Sequence, residues 1–475
     1  MRNPTKVAES LEDAASPFLH YEKKTGMGSG ALSLKWYNKI NHQPHYILES
    51  TTMETATQQS NNATIDTERQ KKAREYARKR RRLSYINMGI AALALLFIFW
   101  SELNIVLRNL LQPLNWQPVP GWYPWQVLVY LLILTLGYQI ITFPLDYYGG
   151  FVLPHRYGLS TMTLRSWLAD LLKGLVLSLI LEILAVELIY LLLATQPQTW
   201  WLWVALIMLF FTVVMANLAP VLILPIFYKF TPLPEGELTQ RLLALANRAH
   251  TRVRGVFTMH LSSKTTAANA ALMGLGNTRR IVLGDTMLDR YTPDEIEVVL
   301  AHELGHHVHH DLWKLILTQS VLTLGSLYLL NLALHWAVET QHYFLSLTDV
   351  AAMPYLFLLT AIFGLIVLPL SNGLSRAIEY QADEYALQTT KMVAAFKSAM
   401  IRLANQNLAD IEPSALIEFL FHDHPAIGKR LKHADEFADR HALNASISTE
   451  SLVPASSTEP PGIMSNGSST PDAAH

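Results

Sequence analysis

The sequence predicts a mainly α-helical, multi-pass membrane fold: a bundle of about six spans carrying a polar domain that is split along the chain and contains a small β-sheet. Three observations predict it. Hydrophobic residues make up 51% of the 475 and charged residues only 16%, well below the roughly 25% with which a soluble globular protein covers its surface. Apolar stretches at 85–106, 125–145, 171–193, 201–227, 315–338 and 350–370 each have the length to cross a bilayer. The polar segments 229–312 and 375–443 fall on one side of that bundle.

A formal net charge of −1 gives no global reason to bind nucleic acid. The chain has no Cys, which excludes disulfides, thiolate ligands, thiol nucleophiles and prenylation of its own C-terminus. Any metal must then be held by His, Asp or Glu.

Taken in order, 1–82 reads as a polar, then basic tail, with Gln, Asn, Ser and Thr at 51–67 pointing to disorder. No basic segment with a short apolar run lies near Met1, so no secretory signal is expected. The run RQKKAREYARKRRR at 69–82 abuts the first apolar stretch, which makes the lipid bilayer its partner rather than nucleic acid. Four spans are expected within 83–228 and two within 313–374, separated by the first part of the polar domain, 229–312. The second part is 375–443, and the Ser, Thr, Pro and Gly of 444–475 predict a disordered tail.

Lys and Arg set the orientation. Arg156, Arg165 and Lys173 follow the second span, 229–280 follows the fourth and 376–440 follows the sixth, while the opposite loops are nearly free of cations. Both termini and the polar domain are therefore expected on the cytoplasmic side. Glu182 and Glu187 lie inside the third span and should face protein or water rather than lipid. Pro220 and Pro225 should kink the end of the fourth. In the polar domain, a helix at 235–252 precedes strands near 253–261, 269–275 and 280–283, the last two joined in a hairpin at Gly276 and Asn277.

Residues 292–307 read TPDEIEVVLAHELGHH. Thr292 and Glu295 form a capping box with Pro293 at the first helical position, so a helix starts there. His302 and His306, four apart, leave one helical face a turn from each other, as two ligands of one Zn²⁺ must. Glu303 beside them is placed to act as general base without being a ligand. A catalytic zinc needs a third protein ligand and an open fourth position, and HELGHHVHHD lacks the compact third His of the metzincins. SRAIEYQADEYA at 375–386 supplies the best candidates, with Glu379 as ligand and Asp383 as acceptor for the far nitrogen of a ligating His.

HELGH, the SRxxExxAD pattern around Glu379 and HPAIGKR at 424–430 together resemble the membrane zinc metallopeptidases that include the type I CAAX prenyl endopeptidases and the HtpX-like proteases. LPIFYKFTPLPEGEL at 224–238 and NAALMGLGNTRRIVLGDTML at 269–288 resemble the prenyl endopeptidase branch more. The sequence departs from that branch in placing Pro154 and His155 where paired acidic residues are usual. The resemblance implies a split gluzincin-type zinc protease domain with one Zn²⁺ per chain on His302, His306 and Glu379. It further implies Glu303 as the base for a zinc-activated water, His424 as a second catalytic residue, and Asn269 and Arg430 bordering the substrate. The implied substrates are peptides or proteins, prenylated CAAX proteins among them, cleaved near their C-termini. Quality-control proteolysis of membrane proteins is the alternative activity. A non-enzymatic membrane protein with a structural zinc would need a fourth ligand such as His307 or His310.

Overall fold

In the computed structural model the described residues are 63–274 and 276–450, backbone only for 277 and 443–450, and they lie in one compact unit, Thr51–His475. The disorder expected of 1–62 and 451–475, and the end of the strand expected at residue 275, fall outside them.

Among the described residues, six helices are long and apolar enough to cross a membrane: Thr67–Trp100, Pro124–Arg156, Leu164–Thr195, Trp200–Phe227, Asp311–Thr340 and Val350–Thr390. They match the six predicted stretches. Their outer faces leave large apolar side chains uncovered, such as Phe210 at 70% and Leu317 at 66% exposure, an arrangement that lipid solvates and water does not.

The first helix, α1 (Thr67–Trp100), corrects an expectation. Its basic run was predicted as tail, yet it is helical from Asp66, whose carboxylate accepts from Arg69 N at 3.0 Å. Nine cations among the fourteen residues 69–82 would not hold a helix alone. Two things stabilise this one: continuity with the apolar span, and docking of its uncharged face. Ala73 and Tyr76 are buried, and Gln70 bonds Ala409 O and Ile411 N at 3.1 and 3.2 Å.

The next spans are α2 (Pro124–Tyr147), α3 (Leu164–Thr195) and α4 (Trp200–Leu218). After α4 the backbone widens into a π-turn, Ala219–Ile223, and continues as Leu224–Phe227. Pro220 removes one helical N–H there, and the wider turn absorbs the loss.

The sheet contains β1 (Phe230–Pro232), β2 (Val256–Met259), β3 (Ala270–Met273) and β4 (Arg280–Gly284), with α5 (Glu237–Arg248) between the first two. Its order is β1-β2-β4-β3. β2 and β4 run parallel with Val256 opposite Ile281, and β3 and β4 form the predicted hairpin with Ala270 opposite Leu283. β1 was not expected, because three residues ending in Pro232 are too few to show alternation. β3 is an edge strand.

Then follow α6 (Pro293–Val308), α7 (Asp311–His335), α8 (Met353–Thr390), α9 (Val393–Asn407) and α10 (Ile427–Glu450). At about 1.5 Å per residue, the 38 residues of α8 reach far past a bilayer core of about 30 Å. The sixth span therefore becomes a helix of the polar domain without a break. α10 runs beyond 443, where a disordered tail was expected, because Ala434 and Phe437 anchor its inner face in the core. That core joins Leu242, Ile281, Leu283, Leu300 and Leu304 to Phe396 and Phe437, so the two separated segments make one domain.

Candidate metal centre

The capping box forms as predicted: Thr292 N donates to Glu295 Oε2 at 2.8 Å and Glu295 N to Thr292 Oγ1 at 3.3 Å. Glu295 is fully buried and also accepts from Arg402 Nε at 2.8 Å, which pins the start of α6 to α9. One turn from its far end, α6 crosses α8 closely. A Cβ on Gly305 would lie 3.1 Å from Ala382 Cα and 3.2 Å from Tyr385 Cβ. The bare backbone inside HELGH is what lets α8 bring Glu379 to the two histidines.

His302 Nε2 and His306 Nε2 are 3.2 Å apart, His302 Nε2 and Glu379 Oε2 3.3 Å, and His306 Nε2 and Glu379 Oε1 3.4 Å. Zinc bonds of about 2.0–2.1 Å at tetrahedral angles separate adjacent ligand atoms by about 3.3–3.4 Å. The three groups already stand at that spacing. Glu379 Oε2 is buried yet, among the described residues, has no hydrogen-bond partner, which fits a lone pair directed at a cation. Among the described residues, this is the one set of three such side chains close enough to hold a metal ion.

Each imidazole is held from behind. His302 Nδ1 lies 2.9 Å from Asp383 Oδ1, and Arg430 grips that carboxylate with Nε on Oδ2 at 2.8 Å and Nη2 on Oδ1 at 2.5 Å. His306 Nδ1 lies 3.0 Å from Asp311 Oδ2, whose other oxygen takes Lys314 Nζ at 2.8 Å. Burial opposes a charge on His302, but Asp383 and Glu379 outweigh it and hold the imidazole up at about 9. The pocket thus favours positive charge between these groups.

His424 Nε2 stands 3.1 Å from Glu379 Oε1, with Nδ1 2.9 Å from Asp423 Oδ1. Asp423, then Glu379, raise it to about 10. Glu303 is half-buried and, among the described residues, makes no hydrogen bond or ion pair. Asn269 is exposed at the head of β3, and its carbonyl accepts from Gly284 N at 2.8 Å. β3 itself packs beside α6.

Two family models match the chain: "CAAX prenyl protease N-terminal, five membrane helices" over residues 50–229, and "Peptidase family M48" over 232–438. A Bacillus subtilis protein named "Uncharacterized metalloprotease YhfN" is 30% identical over 66% of this chain and 74% of its own length. The chain belongs to peptidase family M48. CAAX prenyl protease 1 of Saccharomyces cerevisiae is 28% identical over 79% of this chain and 88% of its own. The crystal structure of S. mikatae Ste24p superposes with a TM-score of 0.66 at 25% identity, covering 78% of this chain and 89% of that one. The protein is accordingly a multi-pass membrane metalloprotease acting on peptides or proteins.

Membership in family M48 removes the non-enzymatic alternative. His307 and His310 stand outside the His302, His306 and Glu379 group. Asp311 was missed in the sequence. Its signal was present, an acidic residue five after His306, but only the left-handed turn at His310 (φ 59°) brings it back to that imidazole. His155, at the departure from the prenyl branch, bonds the carbonyls of Phe151 and Met162 at 2.6 and 2.8 Å. Glu182 and Glu187 accept from Thr135 and Trp122 at 3.2 and 3.0 Å, so both face protein.

Proposed function

We propose that this metalloprotease is a zinc endopeptidase that removes C-terminal residues from prenylated CAAX proteins at the cytoplasmic face of its membrane. The observation that carries the zinc assignment is the triangle of His302, His306 and Glu379 at tetrahedral-edge spacing. When bound there, zinc supplies Lewis-acid chemistry toward water and a peptide carbonyl.

The remaining work falls to the chain. Asp383 and Asp311 set the tautomers of His302 and His306 and raise their basicity. Glu303, the uncommitted carboxylate, takes the proton of the attacking water and passes it to the leaving amine. His424 donates to the carbonyl oxygen as charge develops on it. The open edge of β3, from Asn269 onward, takes the substrate as an added strand, giving register through main-chain bonds. Arg430 braces Asp383, since both arms of its fork are engaged there. The similarity to CAAX prenyl protease 1 supports prenylated substrates, and the Lys and Arg distribution supports the cytoplasmic side.

Purified protein should carry about one zinc per chain and cleave a farnesylated CAAX peptide, and Glu303→Gln should keep the zinc while losing about 10²–10⁴ in turnover. Cleavage of unfolded casein with none of the farnesylated peptide would replace the substrate assignment by quality control. Undiminished turnover in Glu303→Gln would remove the base.

A further inference from the structure

We propose that Arg80 anchors the free C-terminal carboxylate of the substrate, in a cavity that begins where the open edge of β3 ends. This rests on the proposed function, in which the substrate lies along β3. Just before β3 the chain is already paired: Ser160 bridges Thr265, Thr161 N donates to Lys264 O at 3.2 Å, and Thr266 N donates to Leu159 O at 3.1 Å. A strand added to β3 therefore runs out of main-chain partners near Asn269. Beside that point lies a cavity of about 460 Å³, lined by Lys264, Thr265 and Ala267 of this segment, Asp170 of α3 and Arg80 of α1. It adjoins a cavity of about 650 Å³ that shares Arg80 and Asp170 and reaches Asp146 and Glu182 between the spans.

A peptide guided there by main-chain pairing arrives as an end, and charge decides which end. Asp170 faces two ammonium groups, Lys173 at 3.4 Å and Lys264. Arg80 is exposed, leans on the Tyr76 ring at 5.8 Å and has no carboxylate partner among the described residues. In the adjoining cavity Asp146 accepts from Gln139 at 2.8 Å and Glu182 from Thr135 at 3.2 Å, and neither acid lines the smaller one. Of the charged side chains that line the smaller cavity, Lys264 is paired with Asp170, which leaves Arg80 as its uncompensated cation. That cation suits a carboxylate and repels a terminal ammonium, and a planar guanidinium matches a carboxylate with two parallel bonds. The substrate then runs antiparallel to β3, its C-terminus at the Asn269 end, as removal of C-terminal residues requires.

The test compares two farnesylated CAAX peptides of one sequence, one ending in a free carboxylate and one in a carboxamide, on the full-length zinc-loaded protein. The acid should show about tenfold higher kcat/KM, the scale of one charge-assisted contact. In Arg80→Gln that ratio should fall to near parity, and Arg80→Lys, which keeps the charge without the fork, should restore part of it. Misfolding lowers both rates and leaves the ratio, so the two effects separate. Equal rates for acid and amide in the unmodified protein, or an undiminished ratio in Arg80→Gln, overturns the anchor and leaves the peptidase assignment standing. If the unmodified protein cleaves neither peptide, the function beneath the anchor falls and the anchor with it.

Discussion

Asp311 and Asp383 perform one task from opposite ends of the domain. Each turns an imidazole so that its other nitrogen faces Glu379, and each is itself held by a cation, Lys314 and Arg430 respectively. Partners of this kind contribute about 10–100-fold in metal affinity. Asp311→Asn and Asp383→Asn should each weaken zinc by that factor in a competition titration against a chelator. Glu379→Ala should go further and leave the protein without stoichiometric zinc in metal analysis. Full zinc in Glu379→Ala would strike out the third ligand. Arg430 belongs with these residues: its guanidinium is buried against Asp383, so its loss should show in metal retention before it shows in substrate affinity.

Two helices make the centre possible as elements. α6 carries His302, Glu303 and His306, and α8 carries Glu379 and Asp383 down from the sixth span. Their approach depends on Gly305, where a side chain would strike Ala382 and Tyr385. Gly305→Val should cost about 1–3 kcal/mol through overpacking and push Glu379 away from the histidines. Thermal unfolding in detergent would read the first effect and zinc content the second; a variant that keeps both would show that the helices have slack at this crossing. β3 contributes differently. As the outer strand of a four-stranded sheet it has one edge without a neighbouring strand, which is a liability in most proteins and the edge proposed to take the substrate here.

At the scale of the whole molecule, two transmembrane helices are inserted into one catalytic domain. The core contains Leu300 and Leu304 from before the insertion and Phe396 and Phe437 from after it, so metal, core and membrane spans depend on one another. The absence of Cys makes the orientation directly measurable. A single cysteine at Gln341→Cys, exposed between the fifth and sixth spans, should react with a membrane-impermeant maleimide on intact cells. One at Ser263→Cys, exposed near β2, should react only after the membrane is opened. The reverse pattern would place the active site on the outer face.

The six spans were legible because each is a run of about 20 apolar residues, a signal that no short-range competitor imitates. HELGH and Glu379 were legible for a similar reason: a metal permits few residue types, and a helix permits few spacings. Helicity of the basic run before the first span was not legible, since it depends on Ala73 and Tyr76 finding a surface far away in sequence. β1, the part played by Asp311, the engagement of His424 with Glu379 and the close crossing at Gly305 were equally hidden. Each rests on a contact between distant segments or on a single left-handed residue, and local patterns carry no record of either. Periodicity and ligand chemistry wrote the spans and the candidate metal residues into the chain; only packing decided which carboxylate stands behind which histidine, and where the open strand ends.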